Sequence, residues 1–315
     1  MFSDTRIFVA GGTGLIGRHV VEELLQRGAR IRVAIHRRPN PFGDRVEAIL
    51  GDLRDAETCR RAMRGCRLAI HAAGVTGGLK SLTLNPFATF TDNVLLNTTL
   101  IEAARLEGVE RYALVSNTSV YADSAELLRE EDAWGTQQGC WEENHTGAVK
   151  RLAELQCRLY AVHTPMELAI VRGGNGYGPY DNFAPDTSHV MGALVRKAVE
   201  GPRPLILWGS GETRRDFTHA RDIARGVLHM LEHHAVCDPV HVATGKTTSI
   251  NEVARLLLAI LGDPEAEIVH DLSGPEGPKV KRIDVQKMRR LGFDARISLE
   301  EGLRETIDWY RGNRT

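Results

Sequence analysis

The sequence predicts an α/β fold in which a doubly wound parallel sheet carries a smaller, interleaved α/β lobe. In the first half of the chain, short apolar strands alternate with helical stretches, the pattern of a parallel sheet covered by helices on both faces. After Val171 this rhythm breaks into a segment rich in glycine and proline. Helical and strand patterns then resume, which indicates a second lobe.

Each element of the first half is predicted from the spacing of its apolar residues. Short apolar runs predict strands at residues 6–10, 30–35, 68–73 and 112–116. Apolar positions at helical spacing predict helices at residues 14–27 and 93–107. In the second helix one apolar face is formed by Leu95, Leu96, Leu100, Ile101 and Ala104.

The second half divides between the sheet and the second lobe. The predicted helices are residues 189–200, 222–233, 251–261 and 299–310, and the predicted strands are residues 241–244 and 267–270. Because the stretch around 222–244 returns to the sheet, we expect a cofactor domain of residues 1–172 plus about 217–245. The second, substrate-binding lobe is then about residues 173–216 plus 246–315.

The composition is that of an ordinary globular protein and excludes several function classes. The 315 residues are 42% apolar and 26% charged, with a formal net charge of −1, which gives no reason to expect nucleic acid or an anionic membrane as a partner. Five cysteines without a CxxC pair argue against a disulfide framework and against a metal site. With no signal peptide pattern and no apolar run near the roughly 20 residues of a membrane span, we expect a cytoplasmic protein.

The strongest local signal is GGTGLIG at residues 11–17, between the first strand and the first helix. Glycine permits a tight turn and lets the backbone approach a diphosphate, which the helix N-terminus attracts. The spacing is GxxGxxG, so by itself the segment is equally compatible with a simple tight turn. Its position between strand and helix favours a dinucleotide site. That site is formed by Gly11, Thr13, Gly14, Leu15, Ile16 and Gly17.

The end of the second strand predicts the type of dinucleotide. An acidic residue there would accept the ribose hydroxyls of NAD, but this chain has His36, Arg37 and Arg38. An arginine fork suits a 2′-phosphate, so NADP(H) is preferred and NAD(H) stays an alternative. The basic residues are also compatible with a solvated loop. Asp52 and Leu53 are expected to meet the adenine, although Asp52 is also a common turn residue.

Several longer segments match one family. They are HAAGVTGG at residues 71–78, GPYDNF at 178–183, SHV at 188–190, WGSG at 208–211, RDF at 215–217 and ISLEEGL at 297–303. Over nearly its full length the chain resembles the extended short-chain dehydrogenases/reductases that act on nucleotide sugars, and most of all their GDP-L-fucose synthase branch. The resemblance implies a Rossmann-type fold, cofactor contacts from Ala72, Ala73 and Gly74, and a homodimer through the helices around residues 93–107 and 146–160.

The resemblance also implies a catalytic tyrosine four residues before a lysine, and here the tyrosine is replaced. Lys150 holds the lysine position, which also contacts the cofactor ribose, whereas Thr146 stands at the tyrosine position and Asn117 at that of an assisting serine. The spacing of four places residues 146 and 150 on one helix face. An aliphatic hydroxyl is a far poorer proton donor than a phenol, and threonine is too short to reach the same oxygen. Asn117 can still polarise a carbonyl.

Other side chains offer acid–base chemistry. In the fucose synthase pattern, a cysteine and the histidine of SHV act as base and acid of epimerisation, and their positions are Ser119 and His189. His145 is a candidate to replace the lost acid, as are Glu142 and Glu143. The alternatives are a solvent-facing helix-entry role for His145 and a packing or capping role for His189.

Strand alternation predicts how the residues after 116 point. If the strand continues, Asn117, Ser119 and Tyr121 share one face and Thr118 lies on the other.

The resemblance assigns the nucleotide to the second lobe. Arg215 matches an arginine that binds the pyrophosphate, for which a planar guanidinium is suited. Lys281 adds charge near the same phosphates or forms a structural salt bridge. Asn175 and Asn182 are placed to contact substrate or nicotinamide, and Asn182 is equally suited to ordering its loop.

Three functions follow. The first is an NADP(H)-binding enzyme that epimerises or reduces a nucleotide-linked keto-sugar with non-standard acid–base residues. The second is a catalytically impaired binding or regulatory protein on the same scaffold. The third is a related enzyme that acts on a non-sugar ketone or alcohol. Retained nucleotide contacts favour the first over the third.

Overall fold

The computed structural model describes residues 1–75, 86–122, 126–134, 145–273 and 280–313. Within these residues seven strands form a parallel sheet: β1 (Arg6–Ala10), β2 (Arg30–Ile35), β3 (Glu47–Leu50), β4 (Leu68–His71), β5 (Arg111–Asn117), β7 (Glu167–Gly173) and β12 (Val240–Val242). Their order across the sheet is β3-β2-β1-β4-β5-β7-β12. The order reverses beside β1, so the crevice between β1 and β4 is the expected ligand position.

Shorter strands pair outside this sheet. They are β6 (Leu127–Leu128) with β15 (Arg282–Ile283), β8 (Asn175–Tyr177) with β11 (Phe217–His219), β9 (Leu205–Trp208) with β14 (Ile268–Asp271), and β10 (Arg214–Arg215) with β13 (Thr248–Ser249). Only the β10–β13 pair among these is antiparallel.

The helices of the described residues follow the strands in alternation. They are α1 (Leu15–Gln26), α2 (Ala56–Met63), α3 (Pro86–Leu106), α4 (His145–His163), α5 (Val190–Glu200), α6 (Ala220–His233), α7 (Ile250–Ile260), α8 (Gln286–Arg290) and α9 (Leu299–Gly312). Short 3-10 turns occupy Gly43–Arg45, Thr118–Val120 and Glu130–Trp134. None of the helices in the described part of the chain has the length and apolarity needed to cross a bilayer.

Apolar burial on both faces explains the parallel sheet. In β1 the residues after Arg6 are almost entirely inaccessible, as a strand covered on both sides requires. On one face the core includes Val20 and Leu24 of α1 with Val227 of α6. On the other face it includes Met63 of α2 and Leu100 of α3. The predicted α/β fold class with its parallel sheet is confirmed.

A separate hydrophobic cluster lies among the elements of the second half. Val195 of α5, Leu257 of α7 and Ile307 of α9 pack around Leu207 of β9. This cluster draws on the stretches that the sequence assigned to a second lobe. The division into two domains stays a prediction.

One buried carboxylate joins two connections of the chain. Asp216 lies just before β11, and its oxygens accept hydrogen bonds from Thr218 Oγ1 (3.0 Å), from Thr244 N (3.1 Å) and Oγ1 (2.8 Å), and from Gly245 N (2.7 Å). The segment entering β11 and the segment leaving β12 are therefore fixed to each other.

Candidate functional site

The turn after β1 can be built only with glycine at critical positions. Gly11 has a φ of +77°, and a Cβ there would lie 2.6 Å from the carbonyl oxygen of Ala72, which follows β4. A Cβ at Gly17 would overlap the carbonyl of Gly11. Glycine is therefore required both for the left-handed backbone and for the close approach of helix, turn and neighbouring strand.

The turn presents the start of α1 to the crevice. The Gly14 N–H donates to Gly11 O (2.9 Å), and Gly14, the N-cap of α1, has no side chain that could cap the helix. Among the described residues the first backbone N–H groups of α1 have no hydrogen-bond partner, so they can bind an anion. Leu15 and Ile16 are half-buried and approach Gly176 of β8, which passes beside the turn. This geometry fits a bound diphosphate.

Arg38, which the sequence predicts to bind the 2′-phosphate of NADP(H), contacts this turn. Arg38 Nη1 donates to the carbonyl of Thr13 at 3.1 Å, while Arg37 and His36 are exposed beside it. The imidazole of His36 lies 3.9 Å from Asp52.

The carboxylate of Asp52, which lies beside His36, is already paired. Asp52 accepts from Arg54 Nε at 2.9 Å, and this contact lowers the pKa of its carboxyl to about 2. Arg54 also donates to Asp92 at 2.6 Å. Leu53 packs into the core beside α2 and α3, and Thr99 Oγ1 donates to its carbonyl at 2.7 Å.

The segment 72–74 continues from β4 beside the glycine turn. The Ala72 N–H donates to Ala10 O at 3.0 Å, and Ala72 and Ala73 border Gly11. Gly74 is exposed. Because the carboxyl ends of parallel strands meet at one edge, this segment and the turn form one continuous wall.

The polar residues predicted for catalysis gather at the end of β5. Lys150 Nζ donates to the carbonyl of Val115 at 3.0 Å, and Thr146, one turn earlier on α4, is half-buried. Asn117 Oδ1 accepts from Ser119 N (3.0 Å) and Ser119 Oγ (2.5 Å). Burial lowers the pKa of Lys150 to about 8 against the opposing effect of the Glu154 carboxylate.

The predicted alternation over residues 117–121 is wrong. β5 ends at Asn117, and Thr118–Val120 form a 3-10 turn that Asn117 caps. Tyr121 is consequently buried in the core, where its hydroxyl bonds His241 Nε2 at 2.6 Å, while Ser119 stays beside Asn117. The side-chain oxygen of Asn117 competes with strand pairing for the backbone N–H groups, which ends the strand.

A buried ion pair lies beneath these residues. Arg172 and Glu154 have no exposed side-chain surface, and Ser116 Oγ also donates to Glu154 at 2.7 Å. Arg172 Nη1 donates to Tyr121 Oη at 2.7 Å. The pair fixes α4, with Lys150, to β5 and β7.

Three further residues received no role from the sequence. His71, at the end of β4, is buried and bonds Asn97 Oδ1 at 2.8 Å; burial lowers its pKa to about 4. Asp181 has a buried Oδ2 without a hydrogen-bond partner among the described residues, and burial raises its pKa to about 6 although Arg38 acts in the opposite direction. Trp208 on β9 exposes 66% of its surface. All three lie in segments that carry the family resemblance, at residues 71–78, 178–183 and 208–211, and these segments were the signal that could have drawn attention to them.

The other acid–base candidates lie at helix starts. His189 is the N-cap of α5, but its side chain makes no capping hydrogen bond. It is exposed at the surface, yet the protein atoms around it lower its pKa by partial desolvation. His145 is the exposed first residue of α4. Glu142 and Glu143 lie outside the described residues.

The predicted substrate residues fall into two groups. Arg215 on β10 donates to Arg214 O at 2.8 Å, and a bridge between residues 214 and 280 brings Lys281 close to it. Asn175 Nδ2 donates to Asp216 O at 3.2 Å. Asn182 donates to Thr187 Oγ1 at 2.8 Å and accepts from Ala184 N at 3.1 Å, which orders its own loop.

Comparisons with known proteins agree with this architecture. A family model described as the NAD dependent epimerase/dehydratase family matches residues 7–243. GDP-L-fucose synthase 1 of Arabidopsis thaliana is 28% identical over 314 residues, covering 98% of this chain and 94% of that protein. GDP-mannose 3,5-epimerase 1 of Oryza sativa subsp. japonica is 27% identical over 315 residues, covering 97% of this chain and 82% of that protein.

A solved structure extends the similarity to three dimensions. The UDP-glucose 4-epimerase of Thermus thermophilus, in complex with NAD, superposes with a TM-score of 0.80 at 25% identity and covers 98% of this chain and 100% of that one. The matched region contains the glycine turn, Arg38, Lys150 and the end of β5. The predicted family is confirmed: the chain is an enzyme of the NAD dependent epimerase/dehydratase family, within the extended short-chain dehydrogenases/reductases.

Proposed function

We propose that this enzyme binds NADP(H) in preference to NAD(H) and epimerises or reduces a nucleotide-linked keto-sugar with non-standard acid–base residues. The observation that carries the proposal is the placement of Lys150. Its ammonium is held at the end of β5, beside Asn117 and Ser119, on the same sheet edge as the glycine turn. The glycine turn, which can bind a diphosphate, and the polar side chains that can transfer or stabilise protons therefore lie at the same edge of the sheet.

The cofactor preference is supported by charge. Arg38 reaches the turn at Thr13, and the end of β2, where an acidic residue would accept the ribose hydroxyls of NAD, holds the basic segment 36–38 instead. A guanidinium beside the turn suits the 2′-phosphate. Gly11, Gly14 and the start of α1 would hold the diphosphate, and Lys150 the ribose. When bound, the nicotinamide supplies hydride transfer at the substrate carbon.

The residues of this chain then bind the sugar and move protons. With its oxygen occupied by Ser119, Asn117 presents its amide N–H groups, which can polarise a carbonyl. Ser119 and His189 would serve as base and acid of epimerisation. Enolisation next to a ketone needs a base, an acid and a donor to the developing oxyanion. Epimerisation therefore tolerates the threonine at position 146 better than reduction does.

The second lobe contains residues that suit the binding of a nucleotide. Arg215 and Lys281, brought close by the bridge at residues 214 and 280, provide positive charge for a diphosphate. Asn175 and Asn182 would contact the substrate or the nicotinamide ring. The exposed indole of Trp208 offers a surface on which a base can stack. The similar plant proteins are named for GDP-linked sugars, and this favours a guanine nucleotide.

We also propose a cytoplasmic homodimer joined through α3 and α4. These two helices pack on each other and leave a row of large apolar side chains exposed. The row is Leu95, Leu106, Leu155, Leu159 and Val162. A second copy of the same row would cover it, as in an isologous interface.

Turnover of keto-sugars tests the function. The purified enzyme is mixed with NADPH and a panel of GDP-, UDP- and dTDP-linked keto-sugars in deuterated buffer, and NADPH oxidation and ring deuteration are followed by absorbance and mass spectrometry. We expect deuteration or reduction with at least one sugar. If the enzyme binds NADPH but produces neither, the proposal is wrong.

The replacements at Thr146 and Asn117 favour a second candidate, a binding or regulatory protein on the same scaffold. This candidate predicts that the protein binds NADPH tightly, turns over no substrate, and gains no activity from Thr146→Tyr. A third candidate, an enzyme of non-sugar ketones, predicts no thermal stabilisation by GDP, UDP or dTDP. Thermal-shift ranking of these nucleotides separates it from the other two.

A further inference from the structure

The described residues at the carboxyl end of β4 and β5 contain few groups that can exchange a proton near neutral pH. Glu154 is occupied by Arg172 and Ser116 in the core. His71, which faces the site from β4, is buried, bonds Asn97 and stays neutral at pH 7 because its pKa is about 4. The hydroxyls of Thr146 and Ser119 are weak acids. His145, one residue before Thr146, is exposed at the start of α4. Lys150 is therefore the titratable group that remains in the buried part of the site among the described residues.

The ammonium of Lys150 has hydrogen-bond donors that no described residue uses. Among the described residues it makes one hydrogen bond, to Val115 O, and an ammonium carries three N–H donors. Helical side chains lean toward the N-terminus, so Lys150 points along α4 toward Thr146. A short threonine there leaves room between the ammonium and a substrate oxygen, either for direct contact or for one water held by the Thr146 hydroxyl.

We propose that Lys150 is the proton donor to the substrate oxygen, with Thr146 making room for it or holding the connecting water; this rests on the function proposed above. In reduction, the carbonyl carbon receives the hydride of the nicotinamide cofactor while an N–H bond of Lys150 breaks and an O–H bond forms. The neutral amine then takes up a proton from solvent. In the oxidative direction the same amine accepts the hydroxyl proton.

The electrostatic surroundings of Lys150 suit the role of a proton donor. Burial lowers the pKa of Lys150 to about 8, and Glu154 on the same helix limits the drop. Near neutral pH the group is mostly protonated, yet it gives up its proton far more readily than an ordinary lysine of pKa about 10.4. A general acid works best when its pKa is close to the working pH.

Two substitutions test the assignment in the full-length enzyme. Lys150→Arg keeps a positive charge and N–H donors but cannot release a proton. We expect it to lower kcat for reduction by about 100-fold or more, the usual contribution of a general acid, while the Kd of NADPH changes by less than about tenfold. In the Thr146→Tyr background a phenol is restored, so the same Lys150→Arg change should cost less than about tenfold in kcat. Equal losses in both backgrounds would overturn the assignment.

A measurement on the free enzyme gives a second readout. Competitive acylation followed by mass spectrometry reports the protonation midpoint of each lysine, with the surface residue Lys246 as internal reference. We expect a midpoint near pH 8 for Lys150. A midpoint close to the ordinary lysine value of about 10.4 refutes the inference even if the enzyme turns over keto-sugars. NADPH binding without turnover of any keto-sugar instead refutes the function on which the inference rests.

Discussion

Arg172 and Glu154 form a fully buried ion pair, with Nη2 2.7 Å from Oε2 and Nε 2.9 Å from Oε1. Further hydrogen bonds come from Ser116 Oγ to the carboxylate and from the guanidinium to Tyr121 Oη and Glu130 O. Burying such a pair costs much desolvation, and these additional partners offset part of that cost. It holds the helix of Lys150 against the end of β5.

Removal of one partner should therefore destabilise the fold strongly. We expect Glu154→Ala to lower the free energy of unfolding by about 3–5 kcal/mol, because the Arg172 charge is left buried and unpaired. Urea denaturation measures the change. The matched control is Glu300→Ala, which removes an exposed pair with Arg304 and should cost less than about 1 kcal/mol. Equal effects of the two variants would contradict the prediction.

The position of Arg38 predicts a selective loss of NADPH binding. Arg38→Ala should weaken NADPH about tenfold or more, since a charge-assisted contact to the 2′-phosphate is lost, and should change NADH little. Isothermal titration calorimetry gives both dissociation constants. Arg37→Ala shows whether the neighbouring arginine shares the role, and the distant, exposed Arg64→Ala should leave both constants unchanged. If Arg38→Ala weakens the binding of NADPH and of NADH by the same factor, Arg38 does not bind the 2′-phosphate.

Gly17 should be intolerant of any side chain. A Cβ at this position would overlap the carbonyl of Gly11, so Gly17→Ala must move α1 away from the turn. We expect a loss of about 1–3 kcal/mol in stability, together with weaker dinucleotide binding. Gly312→Ala, at the end of α9 with open space around it, should be neutral or stabilising by up to about 1 kcal/mol. Differential scanning fluorimetry compares the two variants.

Buried neutral histidines should make the fold sensitive to acid. Burial lowers the pKa of His71 and His241 to about 4 and that of His219 to about 3, below the unfolded value of about 6.5. As pH falls below about 6.5 the unfolded state binds more protons than the folded state, so stability is lost toward pH 4. Each histidine contributes a slope of up to about 1.4 kcal/mol per pH unit.

This slope can be assigned to individual histidines. His71→Gln should flatten the dependence of unfolding free energy on pH between about 6 and 4.5, because one titrating group is removed. The exposed His233→Gln should retain the wild-type slope. Urea unfolding at several pH values provides the comparison. An unchanged slope in His71→Gln would mean that His71 is protonated in the folded enzyme.

The exposed apolar row on α3 and α4 predicts how the dimer can be broken. Leu159→Arg places a charge in the centre of the proposed interface and should produce a monomer in sedimentation velocity experiments. Leu272→Arg, at a position that is also exposed but lies on another part of the chain, should leave the oligomeric state unchanged. A wild-type enzyme that sediments as a monomer would refute the proposed dimer.

Much of the parallel sheet could be predicted because its strands depend on local pattern. The segments at residues 6–10 and 30–35 are mostly apolar, with Arg32 as the one charged residue inside the second, and β1 and β2 have those same bounds. Helix α1 was predicted within one residue at each end, since the glycine turn starts it and Arg27 ends it. Mostly apolar segments of this length are typical of strands that are buried on both faces of a parallel sheet.

The end of β5 could not be predicted in the same way. Alternation assumes that pairing continues, but the Asn117 side chain accepts the Ser119 N–H and starts a 3-10 turn. The pairing of Arg172 with Glu154 joins residues 18 positions apart on different elements, and no local pattern encodes it. Asp181 lies in the segment at residues 178–183 that matches the family, but its burial near Arg38 appears only once the loop is folded.

The carboxylate of Asp216 has a mechanical consequence. It joins β11, which it directly precedes, to the segment that follows β12, through hydrogen bonds in the interior of the protein. Separating these two segments would leave a buried carboxylate without partners, which is costly, so we expect them to move as one unit.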